Sequence, residues 1–230
     1  MTNTAKRYDE ACSKFDARSY CQKIRDTREF GHAFIPMNHA KFLARSVSLY
    51  PNKEAVIDED FRCTYKELDQ RTNRFANALL NAGIEKYDRI AYLEGNTHEL
   101  LEGYLTFPKI GTILLPMNIR LGPDDLEYML NDAIARVLIF DKEFLPIIQR
   151  LIKKIPVEKF IVTHSYEPVE IGGGVEAEPY DAFLNKGPSS PPPVDYLRDI
   201  DENDISELFY TSDTTGVLEG VMYTYREIYL

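Results

Sequence analysis

A chain of 230 residues, 44% hydrophobic and 28% charged, has room for one large domain, or one and a half, at roughly 150 residues per domain, and for a sizeable buried core. Its 27 Lys and Arg against 37 Asp and Glu leave a formal net charge of −10, and no basic cluster could neutralise a run of phosphates, which argues against nucleic acid as a partner. The three sparse cysteines (Cys12, Cys21 and Cys63), an N-terminus without an apolar signal segment, and the lack of any apolar run near the ~20 residues of a membrane span give the expectation of a cytoplasmic protein with reduced thiols.

In chain order, residues 1–38 read as a polar extension that ends near Pro36. His39 to Leu49 carries Phe42, Leu43, Val47 and Leu49 at helical spacing, with Pro51 as the stop. Two short strand-like runs, 55–58 and 61–65, joined by acidic turn residues, predict a hairpin. Thr64 and Glu67 then form the S/T-x-x-E pattern of a capping box. The helix it opens carries the stripe Leu68, Thr72, Phe75, Leu79 and Ala82, with Thr72 its weak member and Gly83 its close. Arg89–Leu93 reads as a strand, followed by Asn96 as N-cap, Glu99 in the first turn and a helix to about Lys109.

Gly111–Met117 is a short apolar strand, and Gly122-Pro123-Asp124-Asp125 starts another helix, with acids at the positive end of its dipole. Strand 136–140, helix 143–154 and strand 159–163 complete an alternation of strands and amphipathic helices. That alternation predicts an α/β fold, a doubly wound and mostly parallel sheet with helices on both faces. After residue 165 the glycines 172–174 and the Gly/Pro/Ser run 187–193 read as loops without a core of their own. The acids Asp199, Asp201, Glu202 and Asp204 read as a solvated linker.

The segment with chemical character runs from Tyr210 to Gly220. Four hydroxyl side chains (Thr211, Ser212, Thr214, Thr215) and the glycines Gly216 and Gly220 lie between two apolar strands. Hydroxyls and backbone N–H groups gathered in this way can donate to phosphate oxygens, although a plain polar hairpin loop has the same composition. Other chemistries lack their patterns. There is no G-x-x-x-x-G-K-[ST] and no G-x-G-x-x-G after a strand, and His32, His39, His98 and His164 are scattered without metal-ligand spacing.

Read from Tyr210 to Arg226, the sequence YTSDTTGVLEGVMYTYR resembles the phosphate-binding signature of the adenylate-forming (AMP-binding) acyl-CoA synthetases, Tyr-Thr-Ser-Gly-Thr-Thr-Gly-x-Pro-Lys-Gly-Val followed by Thr-His-Arg. Thr64–Leu68, Asn73–Ala76 and Gly111–Asn118 are similar to earlier segments of that family in the same order. The resemblance therefore runs from about residue 40 to the end. It implies a ligase in which a carboxylic acid (a fatty acid by overall likeness) attacks ATP with Mg2+ to give an acyl-adenylate and pyrophosphate, and coenzyme A then takes the acyl group. It also implies that Thr211, Ser212, Thr214, Thr215, Gly216 and Gly220 hold the ATP phosphates, with Thr224 and Arg226 matching the tail of the motif.

Four departures fall inside the motif. Asp213 stands for a glycine, Leu218 for a proline, Glu219 for the lysine and Tyr225 for the histidine. Asp213 adds −1 and Glu219 changes the loop by −2, a total of −3 at a site meant for triphosphate. One carboxylate about 4 Å from a phosphate charge costs roughly 4 kcal/mol at an effective dielectric near 20. The family's adenine, acyl and coenzyme A elements and its C-terminal lysine lie downstream of this loop. The expectation is thus an inactive N-terminal portion with no catalytic residue, no metal ligand and no tightly bound cofactor. The alternative is a non-catalytic interaction module, or one chain of a split ligase, that associates with itself or a partner through an exposed sheet edge. The expected organisation is an extension (1–38), an α/β subdomain (39–187), a Pro/Ser-rich and acidic linker (188–203) and a truncated second subdomain (204–230).

Overall fold

The computed structural model describes residues 36–212 and 218–230; residues 1–35, most of the expected extension, lie outside the described residues. Helix α1 (Ala40–Leu49) leads into an antiparallel hairpin of β1 (Glu54–Asp58) and β2 (Phe61–Thr64). The capping box then forms as read: the Thr64 hydroxyl accepts the Glu67 N–H, and the Glu67 carboxylate accepts the Thr64 N–H at 2.8 Å. It opens α2 (Tyr65–Asn81), which buries Leu68, Thr72, Phe75 and Leu79. Ala82 falls beyond the helix and is exposed. Thr72 is fully buried because its hydroxyl accepts from the buried Lys109 ammonium at 2.8 Å, beside Asp69 and Asn73.

The remaining elements are β3 (Arg89–Leu93), α3 (His98–Ile110), β4 (Ile113–Pro116), α4 (Pro123–Asp132), β5 (Val137–Asp141), α5 (Leu145–Leu151), β6 (Lys159–Thr163), β7 (Val169–Gly172), β8 (Val175–Pro179), α6 (Tyr180–Leu184), β9 (Ile205–Ser212), β10 (Leu218–Thr224) and α7 (Tyr225–Tyr229). The sheet order is β10-β9-β4-β3-β5-β6-β8-β7, parallel from β9 to β8 and antiparallel at both margins. From β3 the chain passes to β4 on one side, then crosses back to β5 and moves outward to β6 and β8. That is the doubly wound order 2-1-3-4-5, whose switch point lies outside the carboxyl ends of β3 and β5.

Side chains alternate across the strands and feed two cores. Ala91, Leu93, Leu138 and Phe140 pack with Leu126, Met129, Ile148 and Leu151 of α4 and α5. Ile90, Tyr92, Ile139 and Ile161 pack on the opposite face with Phe75, Leu79, Phe107 and Phe183 of α2, α3 and α6. Helices therefore cover both faces, as the alternation of elements requires. No helix among the described residues is long and apolar enough to cross a membrane.

Several local expectations are corrected. Thr97, not Asn96, caps α3, because its hydroxyl is the one that accepts the Leu100 N–H. The helix read over 143–154 is a 3-10 turn (Lys142–Phe144) followed by α5, with Pro146 admitted in the first turn, where its missing N–H costs nothing. The chain after 165 has a core: β8 pairs with β6, Ile171 and Ala177 are buried, and α6 buries Tyr180, Phe183 and Leu184. The Gly172–Gly174 run is the left-handed turn between β7 and β8.

The Pro/Ser stretch is a strap laid along α2. Asn77 donates its amide to the Pro188 and Ser190 carbonyls, both at 2.9 Å, and Asn73 donates to Ser189 at 3.2 Å. The acidic run is not uniformly solvated. Glu202 and Asp204 are 1% exposed and pair with Arg226 and Lys86, each at 2.6 Å. Residues 204–230 add β9 and β10 to the main sheet, with Glu207 opposite Leu114.

Candidate functional site

The hydroxyl-rich segment is a hairpin at the carboxyl edge of the sheet. β9 runs parallel to β4, so both end at the same edge as β3 and β5. Past the Glu207–Leu114 pairing, β9 continues five residues to Ser212 while β4 continues two to Pro116. The three-residue excess carries the hairpin roughly 10 Å beyond its neighbour at about 3.3 Å per residue. Its register sets Ser212 opposite Leu218, Thr211 opposite Glu219 and Tyr210 opposite Gly220. Asp213, Thr214, Thr215 and Gly216, which the sequence places at the tip, lie outside the described residues.

The base of the hairpin is firmly held. Tyr210 donates its hydroxyl to Asp132 at 2.6 Å and meets Tyr128 edge to face at 6.3 Å, which ties β9 to α4. Gly220 lies under the Tyr210 ring: a Cβ there would sit 3.2 Å from Leu208 and 3.4 Å from the Tyr210 ring. Leu218 is buried in the core on the α4 side. Thr211 and Glu219 are both exposed and face each other across the ladder. A hydroxyl donor and a carboxylate therefore share the mouth of the hairpin, where a cation would suit a phosphate guest.

The tail of the motif is structural here. Thr224 and Glu227 form a second capping box at the start of α7. Arg226 reaches the buried Glu202 carboxylate at 2.6 Å, and its N–H donates to the Glu202 carbonyl. Tyr225 is fully buried, with its hydroxyl 3.5 Å from the Thr112 carbonyl and its ring 5.8 Å from His39. Burial pulls His39 down to about 4, so it packs there as a neutral imidazole.

Reading along the chain misses the buried acids near this edge. Glu207, four residues before Thr211 on β9, is 4% exposed, and burial pushes its carboxyl up to about 7. Glu94, directly after β3, is 5% exposed; burial, reinforced by Glu99 and opposed by the Thr97 hydroxyl 2.5 Å away, also moves it up to about 7. The available signal was a lone acid inside or beside an apolar strand: Glu207 between Ile205 and Leu208, and Glu94 after Leu93. Cys63 is buried and its thiol is pushed up to about 11, chiefly by burial, which makes it a poor nucleophile at neutral pH.

An open, doubly wound α/β sheet with a hydroxyl-rich hairpin at its carboxyl edge is an architecture that binds nucleotides outside the strand ends. The comparisons with known proteins specify it further. A family model described as AMP-binding enzyme matches residues 43–229, and the chain belongs to that family. It is 32% identical over 199 residues to the long-chain-fatty-acid–CoA ligase of Thermus thermophilus, covering 84% of this chain and 34% of the relative. It is also 32% identical over 168 residues to the 3-hydroxybenzoate–CoA/4-hydroxybenzoate–CoA ligase of Thauera aromatica, covering 72% and 30%.

Among solved structures it is similar to the anthranilate CoA ligase AuaEII in complex with anthranoyl-AMP, with TM-score 0.75 and 25% identity over 84% of this chain and 36% of that one. It is similar too to the N-terminal domain of FACL13 from Mycobacterium tuberculosis, with TM-score 0.66 and 25% identity over 82% and 44%. The chain spans about a third of the length of the curated relatives it matches.

Proposed function

We propose that these residues are the N-terminal part of an AMP-forming acid–CoA ligase fold, in which the Thr211–Gly220 hairpin is a degenerate phosphate loop. In the reaction of the fold, a carboxylic acid attacks ATP, pyrophosphate leaves, and coenzyme A then displaces AMP from the acyl-adenylate. Thr211, Ser212, Thr214, Thr215, Gly216 and Gly220 supply hydroxyl and N–H donors to the phosphates. A fatty acid is the substrate class to try first, with aromatic acids second. The observation that carries this reading is the hairpin itself, standing off the carboxyl edge with Thr211 facing Glu219 in a chain of the AMP-binding family.

The same observation argues that this chain holds ATP weakly and does not complete adenylation. The donors suit a phosphate, whereas Glu219 and Asp213, six residues before it in the sequence, repel one. The test is calorimetric binding of Mg–ATP together with ATP–pyrophosphate exchange by the 230-residue chain. No exchange above a blank is expected, and turnover by the unmodified chain would defeat the claim of inactivity. Asp213→Gly with Glu219→Lys, which together move the loop by three charges, is expected to tighten ATP binding by about tenfold or more even after screening. An unchanged dissociation constant would show that the hairpin is not the phosphate site.

A second reading rests on a different observation. The outermost strand β10 exposes Val221, Met222 and Tyr223. Such an edge supports self-association or pairing with a partner chain.

A further inference from the structure

Away from the hairpin, the geometry points to a second site. We propose that Asp58, His98 and Glu99 form a cradle for one divalent transition cation of the zinc class, closed by three protein ligands and open to water or an anionic ligand.

The fold puts these groups where an open α/β sheet binds ligands. β3 ends at the switch point, and the loop 94–97 leads directly into α3, whose first two residues are His98 and Glu99. The tip of the β1–β2 hairpin brings in Asp58 from 40 residues away. Crevices of this kind, outside the carboxyl ends of the strands, are the ligand positions of doubly wound sheets.

His98 Nδ1 lies 2.8 Å from Asp58 Oδ2 and 3.2 Å from Glu99 Oε2. All three ligand atoms lie within 4.8 Å of one another. Two ligands each bonded at about 2.05 Å to a tetrahedral cation stand about 3.3 Å apart, so little movement is needed to close the cradle. One imidazole with two carboxylates is a donor set for zinc-class ions, and three protein ligands leave a further position free.

The ligands are pre-positioned. The His98 ring stacks on Phe61 with centroids 3.8 Å apart and planes 9° apart, and the Arg71 guanidinium covers Phe61 at 5.2 Å. Asp58 Oδ2 is fixed by the His98 backbone N–H at 2.8 Å. Locked rotamers of this sort reduce the cost of assembling a metal site.

A second observation points to a missing guest. Glu99 is only 7% exposed, yet its Oε2, aimed at His98 Nδ1, has no hydrogen-bond partner among the described residues. The one proton Nδ1 can carry is directed to Asp58, so Glu99 is left with a buried oxygen unsatisfied. Buried carboxylate oxygens are rarely left so. A cation in place of that proton would satisfy both carboxylates at once. Glu94 Oε2, at the start of the same loop, is likewise buried with no hydrogen-bond partner among the described residues. The two ligand acids, Asp58 and Glu99, outweigh the half-charge of the α3 N-terminus.

The test is a zinc titration of the 230-residue chain by calorimetry, with His98→Ala, Glu99→Gln and, as a control, His164→Ala. One site is expected in the unmodified chain and in the control, weakened at least about tenfold in the other two, the scale of losing a group that holds the metal. Affinity in His98→Ala and Glu99→Gln equal to that of the unmodified chain would overturn the proposal. Two measurements on the unmodified chain hold even if those variants misfold. Zinc should shift the 15N resonance of His98 Nδ1, and cobalt should give d–d bands without thiolate charge transfer. An unmoved His98 resonance at saturating zinc, or intense thiolate bands that place the ion on a cysteine, would refute it.

Discussion

Glu207 sits on β9 with its carboxyl buried, and burial raises it to about 7 from an ordinary 4.5. Between those two values the folded chain keeps a proton that the unfolded chain releases. Its contribution is therefore fully present below about pH 4.5 and is lost as pH rises through about 7. Glu207→Gln keeps the shape and removes the charge. The variant is expected to match the parent near pH 4.5 and to exceed it at pH 8 by on the order of 2–3 kcal/mol. Urea midpoints at the two pH values check this, and an equal difference at both would contradict it. At the hairpin the two acids are not equivalent. Glu219→Lys changes the loop by two charges and Asp213→Gly by one, so the single variant Glu219→Lys is expected to give the larger gain in ATP affinity. A calorimetric ranking in the reverse order would mean that Glu219 points away from the guest.

At the scale of elements, the strap over α2 hangs on one glycine. A Cβ on Gly187 would lie 2.0 Å from the Arg74 carbonyl and 2.7 Å from the Ala78 nitrogen, both backbone atoms of α2 that cannot step aside. Gly187→Ala is therefore expected to lower stability by about 2–3 kcal/mol, as overpacking does, instead of giving the usual small gain from a stiffer unfolded chain. A thermal or urea unfolding curve matching the parent would show that the strap lifts away freely.

This strap also marks where sequence reading stops. The capping box at Thr64, the stripe of α2 and the strand Lys159–Thr163 were legible because local spacing alone specifies them. Thr97 displaced Asn96 as a cap by one residue, which composition cannot resolve when both types cap well. Pro188–Ser190 read as loop because its hydrogen bonds come from Asn73 and Asn77, more than a hundred residues earlier. Glu202 and Asp204 read as solvated because Arg226 and Lys86 reach them only in the fold. The candidate site divides in the same way. The donors of Thr211–Gly220 could be read from residue type and resemblance. The Tyr210 ring over Gly220 needed the cross-strand register, and Asp58 beside His98 needed the hairpin folded onto α3.

For the molecule as a whole, the decisive feature is the asymmetry of its sheet. The central strand β5 is buried on both faces, with Val137 to Phe140 at 0% exposure. At the margin, β10 leaves Val221, Met222 and Tyr223 between 37% and 39% exposed and has β9 as its one strand partner among the described residues. A ladder edge with no partner among the described residues and apolar side chains on both faces is a template for another strand, and neither lysine nor proline guards it. The net charge of −10 acts the other way, since like-charged copies repel at long range. At physiological ionic strength the screening length is about 8 Å, so salt weakens the repulsion while leaving edge pairing intact. Self-association is therefore expected to grow with protein concentration and with added salt. Met222→Lys, which puts a charge on the edge, should return the chain to monomer without lowering its thermal stability. Sedimentation equilibrium across a salt series reads both effects. A monomer at every concentration and salt, or dimers unaffected by Met222→Lys, would show that β10 is not the contact.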